Sequence, residues 1–177
     1  MKTAVILALA LAIVAPFAAA QRRDPLNSEE INQLRETAQE PVQRLPLMLK
    51  FASARMEMLE HLRTETTTPD RISQIRDVLQ DFETLIDQLS DNIDDYADRG
   101  EDLRKPLKAI VETDTGFQTK LKAWKTSGTS DPAVAKEFRQ YSFLLDNALD
   151  AVSSNLDNAE HTLADQTAHP SELKKKK

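Results

Sequence analysis

The chain has no cysteine among its 177 residues. Disulfide staples are therefore excluded, and so is a lipid anchor at a processed N-terminal cysteine, even in a compartment that permits disulfides. Stability has to come from packing. Only three glycines occur, at 100, 116 and 128, and aromatic residues make up 5%. That scarcity fits sheets poorly and excludes phosphate-cradling glycine loops, while the 29% of charged residues suits long solvated helices. No Gly-x-Ser-x-Gly or His-Glu-x-x-His occurs, and beyond residue 20 no run is apolar enough to span a membrane.

The first twenty residues have the opposite character. Lys2 precedes an unbroken apolar run from Ala4 to Ala15, Pro16 breaks it, and Ala18-Ala19-Ala20 gives a small-x-small pattern. This order reads as a secretory signal peptide over 1–20, cleaved after Ala20, which predicts an exported (periplasmic or secreted) protein. An uncleaved anchor is the competing reading, since Thr3–Ala20 is uncharged. Cleavage leaves 157 residues, enough for one domain with a sizeable core. After Ala20 there are 22 basic and 29 acidic residues, and over 21–171 there are 18 and 28. An acidic body with a basic end argues against a nucleic-acid partner.

Helical periodicity dominates the remainder. Asn27 and Glu30 form a capping-box pattern, with Leu26 placed to staple onto Ile31. Apolar residues then recur at threes and fours from Ile31 through Leu34, Leu45, Leu49, Met56 and Leu59 to Leu62, interrupted by Pro41 and Pro46, which predicts a kinked or broken first helix. A second helix opens with Thr68-Pro69 and carries a heptad seam of Ile72, Ile75, Leu79, Phe82, Ile86, Leu89, Ile93 and Tyr96, widened by Val78 and Leu85. Gly100 is its stop signal. A third carries Leu103, Leu107, Ile110, Phe117, Leu121 and Trp124; if Asp102 caps it, Pro106 falls in its first turn, and Gly128 with the polar residues around it should end it. A fourth, opened by Ser130-Asp131-Pro132, carries Val134, Phe138, Tyr141, Leu145, Ala148, Val152, Leu156, Ala159 and Leu163.

The expected fold is thus all-α: an elongated antiparallel four-helix bundle (up-down-up-down) with a kinked first helix over 21–167, followed by a disordered basic tail, 168–177. The alternative is three long helices with a kinked central one, because the seam stays in register through Gly100. A single helix over 69–126 would be about 85 Å long and would leave much of its seam unpartnered.

Several chemistries depend on particular residues. Di-iron bundles need Glu-x-x-His, but Met58, Asn158 and Gln166 stand three before His61, His161 and His169. A b-type haem would have to use Met48, Met56 or Met58 with His161. Asp114-Thr115-Gly116 matches the short aspartic-protease signature, but it is single and lies on a helix. Its better reading is a polar group on the seam, fixing register at a cost in stability.

The strongest charge feature is acidic: Asp87, Asp91, Asp94, Asp95, Asp98, Glu101 and Asp102. An EF-hand-type calcium loop fails there, because Ala97 and Arg99 would fall at ligand positions; loose divalent-cation binding and a plain solvated face are the other readings. In an up-down-up-down bundle this end would also hold Arg22, Arg23 and the Lys174, Lys175, Lys176, Lys177 tail. The charged interaction site expected from sequence is therefore Asp91, Asp94, Asp95, Asp98, Glu101 and Asp102 with those four lysines. The tail has three readings: a screen for the acids, a contact with anionic lipid or wall polymer, or an inert solubilising end. The functional expectation is a non-enzymatic exported protein acting as a binding or structural module of the cell envelope, with no cofactor, and with another protein or an envelope component as its partner. A haem- or cation-carrying bundle is the alternative. The apolar segment Leu45-Pro46-Leu47-Met48-Leu49 is a further candidate contact surface, with ordinary core packing as the competing reading.

Overall fold

The computed structural model describes residues 24–173, so the segment 1–20 expected to be a signal peptide, Arg22, Arg23 and Lys174–Lys177 lie outside the described residues. The described chain is all-helical: α1 (Ser28–Glu36), α2 (Pro41–Thr64), α3 (Arg71–Asp98), α4 (Arg104–Ser130), α5 (Pro132–Phe138) and α6 (Ser142–Ala168). None of these helices is long and apolar enough to cross a membrane.

The heptad seam of α3 is the backbone of the core. Ile75, Leu79, Phe82, Ile86, Leu89 and Ile93 have no exposed surface, and Val78, Leu85 and Tyr96 are buried beside them. Three other long helices close on this seam. α2 packs against α3 and α4, and α6 packs against α3 and α4, so the order around the core is α2, α3, α6, α4. Arg44–Asn92 and Arg71–Leu62 contacts make α2 and α3 antiparallel. Leu103–Gln166, Asp114–Asn155 and Lys125–Asp146 contacts do the same for α4 and α6.

The chain reverses between α3 and α4, which removes the reading of one kinked helix over 69–126. The cause is a Schellman end: Gly100 adopts φ 70°, its N–H bonds Ala97 O at 2.8 Å, and Glu101 N–H bonds Tyr96 O at 3.0 Å. Phe82 and Phe117, 18 and 17 residues from Gly100, then meet edge to face with centroids 5.2 Å apart. This contact crosses the bundle centre. α3 and α4 are consecutive in the chain but lie diagonally, with α2 and α6 between them.

The expected kink of the first helix is a full reversal. The capping box at Asn27 forms as its pattern predicts: Asn27 Oδ1 accepts from the Glu29 and Glu30 amides at 3.0 Å, and Glu30 Oε2 accepts from Asn27 N–H at 2.9 Å. The helix it opens stops at Glu36. Pro41 restarts the chain as the first residue of α2, where its missing N–H costs nothing. Pro46 is carried within the first turns of α2. α1 folds back along α2, so that Pro25 and Glu30 reach Arg55. Arg55 is 14 residues into α2, about 21 Å from the reversal. The described chain therefore begins beside mid-α2.

Other boundaries also moved. Thr68 does not cap α3; the position before Arg71 is Asp70, at φ 52°, a left-handed conformation that aspartate tolerates better than most residues. Gly128 does not stop α4. The helix runs on to Ser130, and Gly128 is instead a seat for the Phe138 ring, since a Cβ there would lie 2.2 Å from Phe138 Cδ2. That docking splits the expected fourth helix in two: Phe138 and Tyr141 both turn onto Gly128 and Trp124, the chain makes turns at 139–141, and Val134 is left 39% exposed instead of on the core face. At the other end α6 runs through Ala168, and turns carry the chain to Leu173.

Candidate functional site

The acidic residues group differently in space than in sequence. Asp87, Asp91, Asp94 and Asp98 are spaced by four, three and four along α3, so they form one exposed stripe opposite the core seam. The Asp87 carboxyl is held above its ordinary value by partial desolvation and then by the charge of Asp91. Asp94 accepts a hydrogen bond from Asn158 Nδ2 of α6 at 2.8 Å. Asp95 turns aside and pairs with Arg99 at 3.1 Å, while the Arg99 guanidinium also lies 4.5 Å from the Tyr96 ring centroid. Asp102 belongs to the start of α4. It accepts from the Arg104 backbone N–H at 3.2 Å and its guanidinium at 2.7 Å, and that arginine holds its carboxyl below the ordinary value. The expected cluster is thus a stripe on α3 plus a neutralised turn, and Glu101 sits in that turn with its carbonyl bonded to Gln166.

Gln166 fixes the C-terminal end of α6. Its Oε1 accepts from Leu103 N–H at 2.8 Å, and its Nε2 donates to Glu101 O at 2.9 Å. The end of α6 is therefore clamped to the turn that follows the acidic stripe. Lys174–Lys177 themselves lie outside the described residues.

The metal and haem candidates are not brought together. Among the described residues no group of three or more His, Cys, Asp or Glu converges as a metal site. Met48 and Met56 are buried in α2, Met58 is half exposed, and His161 is exposed on α6, the helix diagonal to α2. The Leu45–Leu49 segment is resolved in favour of the core: Leu45, Met48 and Leu49 are buried and Leu47 packs partly against them.

Two features lay outside the expected site. A small cleft between α2 and α4 has Met56, Leu59, Leu121 and Trp124 as its floor and the Glu60–Lys120 ion pair (2.9 Å) and Arg63 at its rim. No motif marks it, because its residues come from two helices. The second is a buried polar pair. Asp114 and Asn155 have no exposed surface, and Asn155 Nδ2 donates to Asp114 Oδ2 at 2.7 Å. Burial raises the Asp114 carboxyl to about 7, and the Asn155 bond opposes that rise. The seam position of Asp114 announced it; Asn155 gave no signal of its own. No family model, curated protein or solved structure was found to match this chain.

Proposed function

We propose that this chain is an exported, non-enzymatic binding protein that meets a cationic partner through the acidic stripe of α3. The observation that carries this reading is the placement of Asp87, Asp91, Asp94 and Asp98 on one exposed face, with Asp87, Asp91 and Asp98 outside every ion pair among the described residues. Like charges so arranged cost the isolated helix a little stability, and acid near a helix C-terminus opposes the macrodipole. An opposite charge presented by a partner relieves both. The signal segment at 1–20 and the acidic body support export and a basic protein or envelope component as the class of partner.

The test uses a lysine-rich synthetic peptide as probe, titrated against the full processed chain at low and physiological salt. Binding should weaken with salt, and the triple variant D87N/D91N/D98N should lose about tenfold in affinity or more. These three positions are exposed, so the variant keeps the fold, which circular dichroism verifies. Equal binding by wild type and variant would overturn the assignment of the face. A salt-independent interaction would overturn its electrostatic basis.

A further inference from the structure

The Asp114–Asn155 pair leaves two buried oxygens without a hydrogen-bond partner: Asp114 Oδ1 and Asn155 Oδ1. Both are acceptors when the carboxyl is ionised. Rotating the Asn155 amide does not help, since it would set oxygen against Asp114 Oδ2 and forfeit the 2.7 Å bond. A single proton on Asp114 changes the count, because it makes one of the two orphans a donor and leaves the other as its acceptor. Unsatisfied buried polar atoms are costly, so the protonated form is the one whose hydrogen bonding closes.

We infer that Asp114 and Asn155 form a neutral acid–amide latch between α4 and α6, in which Asp114 Oδ1–H donates to Asn155 Oδ1 while Asn155 Nδ2–H donates to Asp114 Oδ2, and that loss of this proton to solvent loosens α6. The surroundings fit. Burial is the leading cause of the raised Asp114 carboxyl, and its only opposing influence is the Asn155 bond. The charged groups of the helices around it are engaged elsewhere: Lys50 and Glu57 on α2, Asp87 and Asp91 on α3, and Asp150 and Asp157 on α6 are exposed to solvent, while Arg55 of α2 pairs with Glu30 and is drawn by the charge of Asp81 on α3. Of the four long helices, the one that the latch holds buries the fewest large apolar side chains. The buried face of α6 is Ala148, Val152, Asn155, Ala159, Thr162 and Gln166 after Leu145, against the isoleucine, leucine and phenylalanine face of α3. An exported protein meets solutions of varying pH, and this latch would tie the grip on α6 to that variable. Because Asn158 of α6 bonds Asp94, a loosened α6 would also disturb the acidic stripe.

The experiment is urea unfolding of the full processed chain from pH 4 to 8, with hydrogen exchange at 152–159, for wild type, D114N, N155L and D114L/N155L. In wild type the folded-to-unfolded ratio should fall about five-hundredfold across that range through this one group. D114N and D114L/N155L should lack that component. The double leucine variant guards against failure of D114N to fold, because apolar residues of similar volume commonly replace buried polar pairs at little cost. In N155L the acid stays buried without its partner, so its carboxyl should rise further while exchange at 152–159 runs faster than in wild type at pH 4, where the latch is closed. Carboxyl carbon NMR of wild type, which needs no variant, should show one aspartate titrating near neutrality. Unchanged pH slopes in a folded position-114 variant, wild-type exchange behaviour in N155L, or no aspartate titrating above pH 6 would each overturn the latch.

Discussion

Glu30→Ala tests how α1 is attached. The Glu30 carboxylate makes three bonds at once: both oxygens meet the Arg55 guanidinium at 2.6 Å, and one also closes the capping box on Asn27 N–H at 2.9 Å. The two side chains keep only 14% and 11% of their surface exposed. Removing one partner of such a pair leaves a desolvated charge, a change that costs about 3–5 kcal/mol in fully buried cases. Partial exposure places this one at the lower end, about 3 kcal/mol, with about 1 kcal/mol more from the lost cap bond. α1 touches only α2 closely, so that energy exceeds what a nine-residue helix can hold by itself. The chain escapes the cost by releasing α1, which lets Arg55 rehydrate. Amide exchange should therefore show residues 28–36 losing protection in E30A while the α3 core keeps its own, and protease should cut at Thr37–Glu40. Asn27→Ala, which removes only the cap, should cost about 1 kcal/mol and keep α1 docked. If E30A leaves α1 protected, or if core protection falls as far as that of α1, the view of α1 as a separately held element is wrong.

The same carboxylate and Asp114 give the protein opposed pH responses. Arg55, chiefly by its hydrogen bonds, holds Glu30 below its ordinary value, so its contribution is present above the unfolded pKa and is lost as pH falls through the folded one. Asp114 is raised from 3.8 to about 7, so its contribution is full below the unfolded pKa and is lost as pH rises toward the folded one, worth about 4 kcal/mol over that interval. Urea midpoints measured against pH should fall on both sides of a mildly acidic maximum, and a flat profile from pH 5 to 8 would contradict the Asp114 half. Gly128→Ala forces a methyl into the Phe138 ring, with 2.2 Å available; overpacking of this kind costs about 1–3 kcal/mol, and tryptophan fluorescence from Trp124 should report the shift of α5. Gln166→Ala strips partners from Leu103 N–H and Glu101 O, and a loss of about 1–3 kcal/mol with faster exchange at 101–104 is expected; no change would mean the end of α6 is not clamped there.

Legibility in the sequence followed the physics that set each feature. The α3 seam was readable because every large apolar residue on it serves one purpose, burial, and recurs at helical spacing. The Asn27 capping box was readable because its partners are three residues apart. The reversal at Gly100 was ambiguous because a heptad register says nothing about direction; only the left-handed glycine and the two bonds at 96–101 decide it. The reversal of α1 was not readable, since what folds it back is Arg55, 25 residues from Glu30, and Tyr96, whose hydroxyl donates to Ala38 O at 2.9 Å from 58 residues away. The helix does end among the polar residues around Gly128, at Ser130, but the seat that Gly128 gives Phe138 is not legible, because a glycine that ends a helix and one that admits a ring look alike until the ring is known. The acidic run was visible, but Asp95 and Asp102 left the stripe through local pairing with Arg99 and Arg104.

Apolar patterning alone does not choose which helices become neighbours. Four amphipathic helices with similar seams can close around a core in more than one order, and hydrophobic burial is nearly indifferent between them. Here the order sets α6 against both α3 and α4, and the polar contacts are distributed to match. Asn155 faces Asp114 on α4, Gln118 of α4 bonds Ser153, Asn158 bonds Ser90 and Asp94 on α3, and Gln166 bonds the turn between them. On the other side Arg44 of α2 bonds Asn92 of α3 at 2.9 Å. A sequential order α2, α3, α4, α6 would keep the α4–α6 and α2–α3 bonds but take Asn158 from Ser90 and Asp94, and any order that parts α4 from α6 would orphan Asp114 and Asn155 in buried positions. The cost of each orphan, about 1–3 kcal/mol, then becomes a penalty on the wrong arrangement. On this argument Asp114 has two roles from one cause. Its burial makes it costly to place anywhere but opposite Asn155, which selects the neighbour of α4. The same burial raises its carboxyl toward neutrality, so the group that specifies the packing is also the one through which pH can weaken it.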